Sequence, residues 1–135
     1  MISNLINKLQ SFTSRLDQGS RSTNGIMSAI QDENWGAVEF ETNNRARILN
    51  IIAMEQEQIE KLINGLIAEE INSESMALIK SWAFDTQNWI SETADKDDQI
   101  IDMLNHSKDE TTKEIAAMFK SKQAFRGYNL NDVRK

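Results

Sequence analysis

The chain has 135 residues and a formal net charge of −6, and it contains neither cysteine nor proline. The length suits one domain with one core, and the absence of cysteine excludes disulfides, thiolate metal sites and cysteine nucleophiles. The acidic balance argues against direct binding to nucleic-acid phosphates, so we expect a single domain over residues 1–135 with no direct nucleic-acid partner.

The first predicted helix begins at the start of the chain. Its apolar residues recur at steps of three and four: Ile2, Leu5, Ile6, Leu9, Phe12 and Leu16. Residues 18–25 resemble turn material, but no alternating strand pattern flanks them, and the apolar face resumes in the same phase at Ile26 and Ile30. This spacing predicts one helix to about Gln31, weakened in its middle.

The second helix is predicted to begin near Trp35, because the polar residues before it, Asp32 and Asn34 among them, can cap a helix. The next break is predicted at Asn72, because the stripe passes Gly65 without a change of phase, while Phe40 lies off the main face. The stripe comprises Val38, Ile48, Leu49, Ile51, Ile52, Ile59, Leu62, Ile63, Leu66, Ile67 and Ile71.

The third helical region has two interpretations. No glycine or proline lies between Gly65 and Gly127, so one helix could run from about Glu74 to Phe119. The apolar stripe thins near 93–98, which equally favours a bend or a short loop there. With either interpretation we predict an all-α fold: an antiparallel bundle of three to four long helices with a short C-terminal segment. We also predict that Trp82 and Trp89 pack in the core.

The sequence offers no recognisable catalytic, cofactor or metal site. A di-iron site in a helical bundle needs two histidines, and the chain has only His106, which we expect to pair with Asp102 one turn back. Residues 95–106 begin with the ligand spacing of a calcium loop, but Ile100 stands where that loop needs glycine. We therefore predict that the protein is not an enzyme and uses no cofactor.

The start of the chain lacks the apolar block of a signal peptide, and no stretch approaches the 18 apolar residues that a membrane helix needs. The chain also carries no cysteine that would tie it to an oxidising compartment. We expect a cytoplasmic protein with no membrane partner.

Two segments match the motifs of a known family. The first comprises Asp32, Glu33, Asn34 and Trp35, followed by Val38, Glu41, Arg45, Ile48 and Leu49. The second comprises residues 98–104, then a polar helix with Lys113, Phe119 and Lys122, and ends with Tyr128 and Asn129. Their order and spacing resemble the small helical flagellar export chaperones of the FliT type. The sister FlgN type stays open, because residues 55–75 form a longer segment than in the shortest members.

The resemblance implies a cytosolic chaperone that binds a flagellar axial protein before type III export and prevents its premature assembly. The client implied first is the filament cap protein, and the hook–filament junction protein is the other. The resemblance also implies contact with the export ATPase complex and, in some relatives, with a flagellar transcription activator. The alternative is a structural bundle that self-associates, for example as a homodimer, and has no exported client.

The predicted mode of binding is helix-in-groove, in which an amphipathic client segment lies along apolar residues that the bundle leaves partly uncovered. The last apolar stripe is the candidate surface, with plain core or a dimer seam as the alternative. Its residues are Ile100, Ile101, Leu104, Ile115, Met118 and Phe119. The resemblance implies that Phe125 and Tyr128 also take part in binding, because in the family the terminal segment can fold back over the surface that binds the client.

Overall fold

A computed structural model of the chain describes residues 2–106 and 113–118. It contains three long helices, α1 (Ile2–Gln31), α2 (Trp35–Asn64) and α3 (Ser73–Asn105), with a 3₁₀ turn at Ala68–Glu70. Residues 113–118 are helical as well, and no strand occurs in the described part of the chain. The predicted all-α bundle is confirmed. None of the described helices has the length and apolarity to cross a membrane.

The α1–α2 turn agrees with the prediction. α1 runs without interruption through its two glycines and ends at Gln31, and Asn34 caps α2, its side chain accepting a hydrogen bond from the Ala37 N–H at 3.2 Å. The reversal itself needs a left-handed residue, which is Glu33 with φ of 55°. The helices therefore reverse direction within three residues and form a tight antiparallel hairpin.

The prediction that the second helix continues through Gly65 is wrong. α2 ends at Asn64, and the Gly65 N–H donates to the carbonyl oxygen of Lys61. Asn72 caps α3 as predicted, and it exchanges reciprocal hydrogen bonds with Ser75. Gly65 ends the helix because it has no side chain to pack and a strong cap lies only a few residues ahead.

α3 is one continuous helix through residues 93–98, so the alternative of a bend there is wrong. The prediction that this helix continues without a break to Phe119 is also wrong, because α3 ends at Asn105. The apolar stripe thins without a break because Thr93 and Asp97 are buried polar residues on the same inward face.

The interior contains two hydrophobic clusters, one toward each end of the bundle, and both take residues from α1, α2 and α3. α1 packs closely against α2 and less against α3, while α2 and α3 approach each other little. The far-end cluster, remote from the α1–α2 turn, comprises Leu5, Phe12, Leu16, Leu49, Ile52, Ile59 and Trp82. The turn-end cluster comprises Ile26, Ala29, Ile30, Val38, Ile100, Ile101, Leu104, Ile115 and Ala116.

A polar belt of Thr23, Thr42, Arg45 and Asp97 lies between the two clusters along the helices. The Arg45 guanidinium donates two hydrogen bonds to the Asp97 carboxylate at 2.6 and 2.7 Å, and both side chains are buried. The threonine hydroxyls donate to carbonyl oxygens one turn back in their own helices. The ion pair of the belt thus joins α2 to α3 where their backbones lie apart.

Candidate functional site

The predicted binding stripe lies mostly inside the molecule. Four of its members are buried in the turn-end cluster: Ile100, Ile101, Leu104 and Ile115. Met118 is exposed, whereas Phe119, Phe125 and Tyr128 lie outside the described residues. For these four residues the prediction of a partly uncovered stripe is therefore wrong and the alternative of core packing holds, because α1, α2 and residues 113–118 pack around them. A role of these residues in binding stays a prediction.

A long open groove instead follows the outer side of the α1–α2 hairpin. Its volume is about 840 Å³, and it extends from Arg15 to Asp32 along α1 and from Asn34 to Ile51 along α2. Seventeen residues of helix span about 25 Å at 1.5 Å per residue. The groove is therefore long enough to accommodate four to five turns of a second helix.

Small side chains form the floor of this groove. Gly25 lies on α1 opposite Glu41, where an added methyl group would lie 3.4 Å from the Glu41 carboxylate. The Glu41 carboxylate also accepts a hydrogen bond from the Ser22 hydroxyl at 3.2 Å. Because Ser22, Gly25 and the nearby Ala29 and Ala37 are small, the two helices leave room above their line of contact.

Three arginines line the groove in a protein with net negative charge. Arg15 donates to Glu55 at 3.1 Å, and Arg21 forms an exposed ion pair with Asp17 within α1. Arg47 is exposed and forms no ion pair within the part of the chain that the structure describes. Arg47 is thus available to an anionic group of a partner. The ion pair of Arg21 with Asp17 is exposed to solvent and contributes little free energy, so Arg21 can exchange it for a partner's carboxylate.

An apolar stripe on α2 borders the groove. It consists of Phe40, Ile51 and Met54, all exposed, with Arg47 between them, and we call it the α2 stripe. Its positions fall at steps of seven, four and three, so they share one helical face opposite the core. In the sequence, Phe40, Arg47 and Met54 follow one another at intervals of seven residues, a spacing that places them on one helical face. This spacing is hard to recognise because the core face of α2 contains many more apolar residues.

No group of three or more metal-ligating side chains occurs among residues 2–106 and 113–118. The predicted contact between the side chains of His106 and Asp102 is replaced by a contact from the His106 Nδ1 to the Asp102 backbone oxygen at 2.6 Å. This contact belongs to the end of α3, where carbonyl groups lack helical partners.

The α1–α2 groove is lined by polar and small side chains, and the apolar α2 stripe runs beside it. A surface of this length and composition suits an amphipathic peptide helix better than a small molecule. Comparison of the chain with known protein families, curated proteins and solved structures finds no match. The resemblance to export chaperones therefore rests on the sequence motifs alone.

Proposed function

We propose that the chain is a cytosolic chaperone of flagellar type III export that binds an amphipathic helix of an axial protein in the α1–α2 groove. The observation that carries this proposal is the exposed α2 stripe beside a groove of helical length. The filament cap protein is the proposed client, and the hook–filament junction protein is the second candidate. The bound chaperone would cover the apolar face of the client helix and so prevent its assembly before export.

The size of the surface suits a moderate affinity. Burial of a large apolar side chain contributes about 1.5 to 3 kcal/mol, and a dissociation constant of 1 µM corresponds to about −8 kcal/mol. Phe40, Ile51 and Met54 and the client residues that match them would supply the apolar part of this free energy, from which the cost of association is subtracted. A chaperone that must release its client is served by affinity in this range.

The groove carries both signs of charge, so Arg21 and Arg47 favour acidic residues where the client helix passes them, and Asp32 and Glu41 favour basic ones. Arg21 and Arg47 lie near the solvent edge of the groove, where opposite charge accelerates encounter and sets orientation more than it adds to affinity. Higher salt should therefore slow association while the apolar contacts keep dissociation nearly unchanged.

Calorimetry with a synthetic peptide of the C-terminal helix of a filament cap protein tests the proposal, using a matched pair of variants. Phe40 on α2 and Phe84 on α3 are both 63% exposed, so their replacement by serine removes the same side chain from equally open positions. We expect Phe40→Ser to weaken binding at least tenfold and Phe84→Ser to change it less than twofold. Equal effects would place the client elsewhere.

The resemblance supplies a second test. If the terminal segment with Phe125 and Tyr128 competes with the client, deletion of residues 121–135 tightens binding of the same peptide. Sedimentation over a range of concentrations separates the chaperone from a self-associating bundle, because a chaperone gains mass mainly when the client is added. Contact with the export ATPase complex and with a transcription activator is proposed from the resemblance and is tested by pull-down with each.

A further inference from the structure

We infer that the connection between α2 and α3 is a second docking surface, which fits a partner segment whose apolar side chains are flanked by lysine or arginine. The connection patch consists of Ile67, Ile71 and Met76, which are 56%, 53% and 38% exposed. It lies at the end of the bundle opposite the α1–α2 turn. It is separate from the α1–α2 groove and does not depend on the function proposed for that groove.

The patch is exposed because α2 ends at Gly65. Had the helix continued, Ile67 and Ile71 would have stayed in the phase of the core stripe. The break instead leaves Leu66 packed against the far-end cluster and turns the two isoleucines outward. Three exposed apolar residues thus lie within ten positions of the sequence, whereas exposed apolar side chains on protein surfaces are commonly scattered singly.

Hydrogen bonds hold the connection in one conformation. The Ile67 N–H donates to the Glu70 carboxylate at 3.0 Å, and the Ile71 N–H donates to the Ala68 carbonyl oxygen at 3.2 Å. The Ser75 hydroxyl donates to the Glu70 carbonyl oxygen at 2.7 Å. A partner therefore meets isoleucines that are already positioned, so little conformational entropy is lost on binding.

The charges around the patch determine the chemistry of the partner. Residues 57–80, which include the patch, carry a net charge of −3, because Lys61 and Lys80 stand against five glutamates: Glu57, Glu60, Glu69, Glu70 and Glu74. Because the glutamates stand beside the apolar side chains, they attract a basic amphipathic segment and repel an acidic one. A second copy of the patch carries the same charge and is not complementary to it.

The two surfaces are far enough apart to be occupied together. Met54, the member of the α2 stripe nearest to the patch, and the end of α2 at Asn64 are separated by 10 residues, which is about 15 Å of helix. A partner helix is about 10 Å wide, so one on the connection patch does not block one in the groove.

A peptide of 18 residues made of leucine and lysine, with the leucines on one helical face, is the probe. Because the chain has no cysteine, Ala68→Cys carries a single environment-sensitive dye at the patch, and Gln31→Cys carries it at the opposite end as the control. We expect a saturable emission shift at position 68 only. A peptide of the same composition without an apolar face, and one with glutamate in place of lysine, should each bind at least tenfold more weakly.

Variants in the dye-labelled protein assign the binding. The double change Ile67→Ser with Ile71→Ser should weaken binding of the lysine peptide at least tenfold, and Glu69→Lys, which leaves the apolar residues in place, should weaken it about fivefold. Phe84→Ser is the matched control and should have no effect. Circular dichroism checks that each variant keeps its helices.

Three results would overturn the inference: unchanged binding in both the isoleucine and the Glu69 variants, equal binding of the glutamate peptide, or a dye response to protein concentration without peptide. The last result would mean that another copy of the chain covers the patch. The Glu69→Lys variant keeps the test decisive if the double variant loses its fold.

Discussion

The far-end and turn-end clusters both contain residues of α1, α2 and α3, but different kinds of residues complete the packing at the two ends. At the far end, Phe12 and Trp82 pack edge to face with ring centroids 6.0 Å apart, and Trp89 packs beside them. The turn-end cluster is aliphatic, and Ile115 and Ala116 from outside the three long helices complete it. The far end is therefore closed by large side chains of the long helices, and the turn end by a separate segment.

The aromatic cluster also shows how a large side chain is fitted between helices. The Trp89 indole N–H donates to the Leu16 carbonyl oxygen at 2.9 Å and to the Ser20 hydroxyl at 2.8 Å. The ring lies over Gly19, where an added methyl group would be 3.0 Å from Trp89 Cζ2. The absent side chain and the hydrogen bonds together bring α3 onto α1, which explains a glycine in the middle of a long helix.

The largest expected effect is at the far end. Phe12→Ala should lower the free energy of unfolding by about 4 to 5 kcal/mol, because Phe12 is fully buried and its partner ring cannot fill the cavity. Urea denaturation followed by circular dichroism measures the change. A loss below about 2 kcal/mol would mean that the cluster collapses around the cavity and that its aromatic packing is not specific.

The polar belt between the clusters gives the next effect. Asp97→Ala leaves the buried Arg45 guanidinium without its carboxylate and should cost about 3 to 4 kcal/mol in the same assay. The double variant Arg45→Met with Asp97→Leu removes both charges and should recover most of that loss. A double variant no more stable than the single one would show that the ion pair itself, rather than the burial of one charge, stabilises the α2–α3 contact.

A smaller loss is expected at the turn end. Ile115→Ala should cost about 2 kcal/mol, at the low end for a buried isoleucine, because a short covering segment can detach without unfolding the long helices. Binding of a hydrophobic dye should rise in this variant at denaturant concentrations where the helical signal is still native. If the dye signal and the helical signal change together, the two clusters unfold as one unit.

The smallest effects come from two glycines of α1 and should have opposite signs. Gly19→Ala should destabilise by about 1 kcal/mol, because the hydrogen-bonded Trp89 ring has little freedom to move away. Gly25→Ala should stabilise by about 0.5 to 1 kcal/mol, because it meets only the flexible Glu41 carboxylate and alanine favours helix. The midpoints of thermal unfolding of the two variants, compared with that of the unchanged protein, show whether the two effects have opposite signs. Stabilisation by both changes would show that Trp89 can shift.

Sequence periodicity predicted the helices where one apolar stripe coincided with a strong cap. The start of α2 followed from Asn34, and the length of α1 followed from a phase unbroken across its glycines. Periodicity failed at Gly65, where phase continuity is compatible with both a helix and a helix end. At residues 93–98 it left a continuous helix and a break equally open, because Asp97 is a buried carboxylate whose partner Arg45 lies on another helix.

The candidate surfaces were harder to predict for the same reason. The stripe that includes Ile100 and Leu104 has the pattern of any apolar helix face, and only the position of residues 113–118 shows that it is covered. Phe40 was correctly placed off the main face of α2, but its neighbours in the α2 stripe became evident only when the outer side of the hairpin was seen to be open.

The sequence by itself determined the all-helical class, the hairpin turn and the cap of α3, because these depend on residues within a few positions of one another. Only the tertiary structure decided which apolar faces are covered, that Arg45 pairs with Asp97 across 52 residues, and that Ile67 and Ile71 face outward. Periodicity specifies the faces of one helix, whereas burial depends on where the other helices lie.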